Sequence, residues 1–247
     1  MLAIEEKAED ILQKMFQSGM HLGYSKTSRH PKMDKFIFGS RNGVEIFDLE
    51  RTKASFDAAK DFVRKLGKEG KTMLFVGTKK EAKSLTEKHA KELNMPYVVE
   101  RWIGGTITNI KQIKARIDHL GDLKKKRDTG ELDKYTKKEK LDIERKIQKM
   151  EKYFGGLADA LKGGPAAMIV IDSKHEKIAA DEAFSSKTPV VALLSTDCDP
   201  AKINYPVPAN DSSMSSIELF LLEIVRAYKE GQLAQAEQAS APEKKAE

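Results

Sequence analysis

Cysteine occurs once in the 247 residues, at Cys198. A disulfide within the chain is therefore excluded, as is a metal site built from several thiolates of one chain. Long apolar stretches are missing too. The longest runs, Met168 to Ile171 and Val190 to Leu194, are far too short to span a bilayer, so no membrane partner is expected. Glu5, Glu6, Glu9 and Asp10 stand where a targeting segment needs basic or apolar residues, and the expected location is cytoplasmic. Neither nucleotide fingerprint, G-x-G-x-x-G or G-x-x-x-x-G-K-S/T, is present, which weighs against a bound nucleotide cofactor.

Charge is abundant: 33% of residues are Asp, Glu, Lys or Arg, with a net charge of +6. Its placement is uneven. Residues 111–152 hold 15 basic against 9 acidic residues, and residues 26–41 hold 5 against 1. Residues 176–230 reverse this, with 5 basic against 9 acidic. Such segregation suits a protein that meets nucleic acid on some faces and water or protein on others.

Helical spacing of Ile11, Leu12 and Met15 predicts a short docking helix within residues 1–18, ending at Gly19. Apolar runs on either side of Asn42-Gly43 predict a β-hairpin. A helix follows from Leu49 to Lys68, with Gly67 and Gly70 marking its exit. Short apolar runs at Met73 to Val76, Tyr97 to Val99, Ala167 to Ile171, Val190 to Leu194 and Tyr205 to Val207 alternate with helical patterns, the signature of an α/β fold with a parallel sheet. Thr78 with Glu81, Thr136 with Glu139, and Ser173 with Glu176 have capping-box spacing. The last helix is expected from Ser212 to Glu230, and residues 232–247, poor in apolar surface, as a disordered tail.

About sixty-five residues separate the strands near Val99 and Ala167, several times a normal crossover of about a dozen. Two helical stripes, Ile107 to Leu120 and Leu141 to Phe154, predict an antiparallel helical hairpin over 106–155 that projects from a sheet domain made of 19–105 and 156–231.

RNA binding requires Lys and Arg for phosphates and planar groups for exposed bases. Lys26, Arg29, His30, Lys32, Lys35 and Arg41 cluster between Gly19 and the hairpin turn. In MLFVGTKKEAKSL a strand, a glycine turn and a helix start bring backbone N–H groups and Lys79, Lys80 and Lys83 to where a phosphate could sit. Arg101 in RWIGG, and Lys111 and Lys114 at the hairpin's root, complete the candidate set. Trp102 reads as a core anchor, and His21 as a hydrogen-bonded residue tying down its loop, with no second metal ligand at recognisable spacing. No catalytic or metal residues are assigned.

The blocks SGMHLGYSKTSRHPKMDKFIFGSRNGVEIFDLERT, LFVGTKKEA, RWIGGTITN, AAMIVIDSKHEKIAADEA, PVVALLSTDCDP and NYPVPANDSSMSSIELFL, in this order, resemble ribosomal protein S2 in its bacterial form, from about Leu12 to Gly231. The resemblance implies a flavodoxin-like, doubly wound parallel sheet with a protruding coiled-coil hairpin. It also implies a structural, non-enzymatic place in the small ribosomal subunit, bound to its RNA and to neighbouring small-subunit proteins, in many bacteria with docking of the large protein numbered one. Tyr24 and Arg29 depart from the family's usual histidine and tryptophan, so the role of that tryptophan does not transfer. Two other readings use the same features. Asp172, Asp197, Asp199 and Asp211 follow strands and could hold magnesium in an enzyme of this fold, with Cys198 or His175 as a reactive group. A free regulator of messenger RNA would use the same basic surfaces.

Overall fold

The computed structural model describes residues 11–157 and 164–240. Residues 11–17 form helix α1, which buries Met15 and leads through Gly19 (φ 74°) to buried Met20. The remainder of the expected docking helix and residues 241–247 of the expected tail lie outside the described residues, whereas residues 232–240, expected in that disordered tail, are helical. Strands β1 (Leu22–Ser25), β2 (Ile37–Arg41) and β3 (Val44–Phe47) make an antiparallel sheet in the order β1-β3-β2. Asn42 and Gly43, at φ 52° and 78°, supply the hairpin turn that their sequence predicts. Strand β1 had no clear signal, because its four residues are partly exposed and a register shift interrupts its pairing with β3.

The larger sheet contains β4 (Met73–Val76), β5 (Tyr97–Val98), β6 (Ala167–Ile171), β7 (Val190–Leu194) and β8 (Tyr205–Pro208), all parallel, in the order β5-β4-β6-β7-β8. Counted within this sheet alone the order is 2-1-3-4-5, consistent with a flavodoxin-like fold. Its strands are apolar throughout because both faces are covered. Met73, Phe75, Ile169, Ile171, Val191 and Leu193 pack with helices α2 (Leu49–Lys68), α3 (Lys83–Glu92) and α7 (Met214–Ser240). Leu74, Val76, Met168, Val170, Ala192 and Leu194 pack with Trp102, Ile107, Ile113 and helix α6 (Lys177–Ser185).

Gly67, expected to mark a helix exit, and Gly231, just past the expected end of the last helix, both lie within helices. A Cβ on Gly67 would meet the Tyr228 carbonyl, and one on Gly231 would meet the Arg64 carbonyl, so the pair permits the close crossing of α2 and α7. The contact offsets the local cost of glycine, and α7 runs on to Ser240 rather than ending at Glu230.

The insertion consists of α4 (Ile110–Asp128) and α5 (Lys137–Phe154), joined through Gly130 (φ 74°). Leu120, Ile147 and Met150 form a small core between them, while Ile107 and Ile113 belong to the sheet's own core. Of the three capping boxes only Thr136–Glu139 forms. The other two do not form because the helices start later, with Ala82 and Glu176 as the residues before α3 and α6; the Thr78 N–H (2.8 Å) and hydroxyl instead donate to Glu176. Among the described residues no helix is long and apolar enough to cross a membrane.

Candidate nucleic-acid interface

Beyond the carboxyl ends of β4, β6 and β7 a charged junction has formed. Lys79 Nζ lies 3.2 Å from Asp172, 3.0 Å from Asp211 and 3.0 Å from the Tyr24 hydroxyl. Tyr24 also donates to Asp211 or shares a hydrogen bond with Ser212, so the residue that departs from the family's pattern ties β1 to the start of α7. Burial works against the Lys79 ammonium, but Tyr24, Asp211 and Asp172 outweigh it and hold its pKa above the ordinary lysine value. Burial, aided by the charge of Asp172, raises Asp211 to about 6. Burial and the same acids push the Cys198 thiol up to about 12, the opposite of an activated nucleophile.

This geometry answers the magnesium reading carboxylate by carboxylate. Asp172 accepts from the N–H groups of Lys174 and His175, Asp197 pairs with Lys174 at 2.7 Å, and Asp199 accepts from the Ala201 N–H while pairing with Lys32. Asp211 and Asp172 do meet near Cys198, but Lys79 is the cation between them. Asn210, not Asp211, accepts from Ser212 and Ser213 N–H at the start of α7. Glu176 likewise takes the Thr78 N–H that a bound phosphate would need.

The basic residues of the loop divide into two groups. Arg29 faces inward, 3.3 Å from Glu45, which is only 1% exposed, and 3.0 Å from Asp34. His30 donates its N–H to the Thr196 carbonyl at 2.8 Å and accepts the Lys32 N–H on Nδ1. Lys32 reaches Asp199 at 3.1 Å. Lys26, Lys35 and Arg41 are exposed, and among the described residues no carboxylate lies within ion-pairing distance of them; Lys35 sits 4.8 Å above the Phe36 ring. Of the aromatic residues nearby, Phe36 is buried and Phe38 is 80% exposed. His21 stacks on Phe16 at 4.4 Å, its Nδ1 buried without a hydrogen-bond partner, and burial lowers its pKa.

At the root of the insertion, Lys83 and Lys152 both pair with Glu100, at 3.1 and 3.2 Å. Lys80, Arg101 and Lys111 are exposed, Lys114 is half-buried, and these four have no ion-pair partner among the described residues. Trp102 is buried and its indole N–H donates to Glu182 at 2.9 Å. The structure thus removes Lys79 and Arg29 from the freely available cations, because buried carboxylates hold them. Lys32 and Lys83 keep exposed ends on surface pairs.

The family of ribosomal protein S2 matches residues 15–231. Relatives named small ribosomal subunit protein uS2 are 44% identical in a Nitratiruptor species, over 89% of this chain and 82% of the relative. The protein of that name in Wolinella succinogenes is 41% identical over 94% of this chain and 86% of its own, and that of Dictyoglomus turgidum 38% over 91% of each. A parallel sheet filled on both faces, carrying a lysine-rich two-helix insertion and a match of this extent, leaves one assignment: the chain belongs to the ribosomal protein S2 family.

Proposed function

We propose that this chain is a structural constituent of the small ribosomal subunit, not an enzyme, and that it binds small-subunit ribosomal RNA and neighbouring ribosomal proteins. The observation that carries the reading beyond family membership is the separation of its cations. Lys79 and Arg29 are neutralised within the fold, whereas Lys26, Lys35 and Arg41 from the loop, Lys80 from the turn after β4, and Arg101, Lys111 and Lys114 from the insertion's root present unpaired charge. Phosphate neutralisation with release of counterions is the favourable use of such charge. In this reading α4 and α5 project as a coiled-coil hairpin from a flavodoxin-like domain, and the ribosome is the protein's location. The large protein numbered one is a further candidate partner.

Co-sedimentation with small subunits lacking this protein, at moderate salt, tests the reading. Stoichiometric binding that weakens with salt is expected, with a footprint on the RNA that Lys26, Arg41 and Arg101 variants diminish. Failure to join the subunits at any salt overturns it.

A further inference from the structure

Between β5 and α4 the chain passes through residues 99–109 with no helix or strand of its own. This segment, with Gly104 and Gly105 (φ 92°), is the entry to the insertion. Asn109 gives α4 no side-chain cap. A single carboxylate from another element meets the need: Glu182, in the middle of α6 and 9% exposed. Its Oε2 accepts from the Trp102 indole N–H at 2.9 Å and the Gly105 N–H at 3.1 Å. Its Oε1 accepts from the Ile107 N–H, the Thr108 N–H and the Thr108 hydroxyl, each at 2.9 Å.

We infer that Glu182 is the positioning residue of the insertion, fixing the Trp102–Thr108 turn so that Arg101, Lys111 and Lys114 engage one nucleic-acid surface together; the inference rests on the RNA-binding reading above. Five donors converging on one buried anion leave the turn little freedom, since each N–H loses its partner if the turn shifts. The negative charge also lies just ahead of the amino end of α4, where the helix dipole favours an anion. Arg101 stands directly before the clamped turn, and Lys111 and Lys114 within the first turns after it. At the exit, Lys152 on α5 pairs with Glu100 of this same entry segment, and a Cβ on Gly156 would strike the Tyr97 carbonyl of β5, so the two ends of the insertion are seated side by side.

The chain's one tryptophan is itself a ligand of the clamp, which supplies a direct probe. Glu182→Gln keeps the shape but places an amide among N–H donors, Thr108→Ala removes one donor, and Val63→Ala serves as a core change in α2 away from the root. In the full-length chain at a temperature where all are folded, Glu182→Gln is expected to shift Trp102 emission and speed amide exchange at Gly105, Ile107 and Thr108. Its log-affinity versus log-salt slope for naked small-subunit RNA should become shallower by about 2, the counterion release of three cations on a single-strand coefficient. Thr108→Ala should act in the same direction and less, while Val63→Ala lowers the melting temperature with the slope intact. Unchanged emission and exchange would deny the clamp, and altered emission with wild-type slope and affinity would deny positioning. If Glu182→Gln does not fold, Thr108→Ala decides between these outcomes. Absence of RNA binding by the wild type would instead overturn the underlying reading, visibly, because the emission and exchange shifts would persist.

Discussion

The junction at the carboxyl edge of the sheet and the outer rim of loop and insertion contain the same basic residue types with opposite environments. At the junction Lys79 is 17% exposed and faces two acids, one fully buried. At the rim Lys26, Lys35 and Arg41 stand in solvent with no ion-pairing carboxylate among the described residues. The first group therefore contributes to the fold, and the second remains available to an external polyanion. Burying a charge without its partner is costly, so the two groups must respond differently to neutralisation.

The largest expected effect tests the inner half of that contrast. Lys79→Met, which preserves the stem and deletes the charge, leaves Asp172 and Asp211 facing each other, and should cost about 3–5 kcal/mol at neutral pH. Chemical denaturation measures it directly. A loss near zero would mean the junction is open to water and that its lysine is no different from the rim's.

The acids of the two regions sharpen the comparison through pH. Asp211 has too few donors for its burial, so its pKa rises from the ordinary 3.8 to about 6. Glu182 is also opposed by burial, yet hydrogen bonds from Thr108, Ile107 and Trp102 hold its pKa below the ordinary value. A raised carboxyl favours the protonated fold. Its stabilising contribution is complete below the unfolded value and is lost as pH climbs through about 6, on the order of 3 kcal/mol in all. Glu182 has the reverse sign: its contribution is present above the unfolded value and is lost as pH falls through the lowered one. Asp211→Asn should therefore remove a decline in stability between about pH 4 and 6, whereas the acid limb that Glu182 helps set remains. Denaturation curves taken from about pH 2.5 to about 7.5 cover both limbs and separate the two; an unchanged profile in Asp211→Asn would refute the assignment.

Arg29 lies between the groups, counted with the rim by sequence and with the junction by structure. Arg29→Ala strands Glu45 and should cost about 2–3 kcal/mol. Adding Glu45→Gln should recover part of the loss, and a double-mutant cycle on melting curves reports the coupling. Additive single losses would show that the pair does not interact.

What the sequence disclosed follows from periodicity. The strands of the large sheet, the two helices of the insertion and the Asn42-Gly43 turn come from local patterns, although α4 begins at Ile110, after Ile107 at the head of its stripe. Long-range polar pairs have no such period. Nothing near Thr78 announces that its partner is Glu176, 98 positions away. Two signals were nevertheless present. Glu45 shares the inward parity of core residue Phe47, and Glu182 falls on the buried stripe of α6 with Ala179 and Ala183. An acid on an apolar face is the mark of a carboxylate held by donors from elsewhere. Lys79 illustrates the reverse: a strand, glycine turn and lysines resembled an anion site, but Glu176 and Asp211 had already supplied the anions.

The smallest expected change in stability carries the most functional weight. Replacing Lys26, Lys35 and Arg41 together by Ala should move the unfolding free energy by only about 0.5 kcal/mol, because exposed charges without partners contribute little to the fold. Arg29 and Lys32 are deliberately kept, since their pairs with Glu45 and Asp199 would confound the measurement. Binding to small-subunit RNA should weaken, and the slope of log affinity against log salt should become shallower by about 2 if all three cations neutralise phosphates of unpaired RNA. Melting curves and salt titrations on the same preparation give both numbers. A change in stability with no change in slope would place these residues with Lys79 as parts of the fold. Wild-type stability together with an unchanged slope would leave them as solvated surface, and the RNA-facing assignment would then rest on Lys80, Arg101, Lys111 and Lys114 alone.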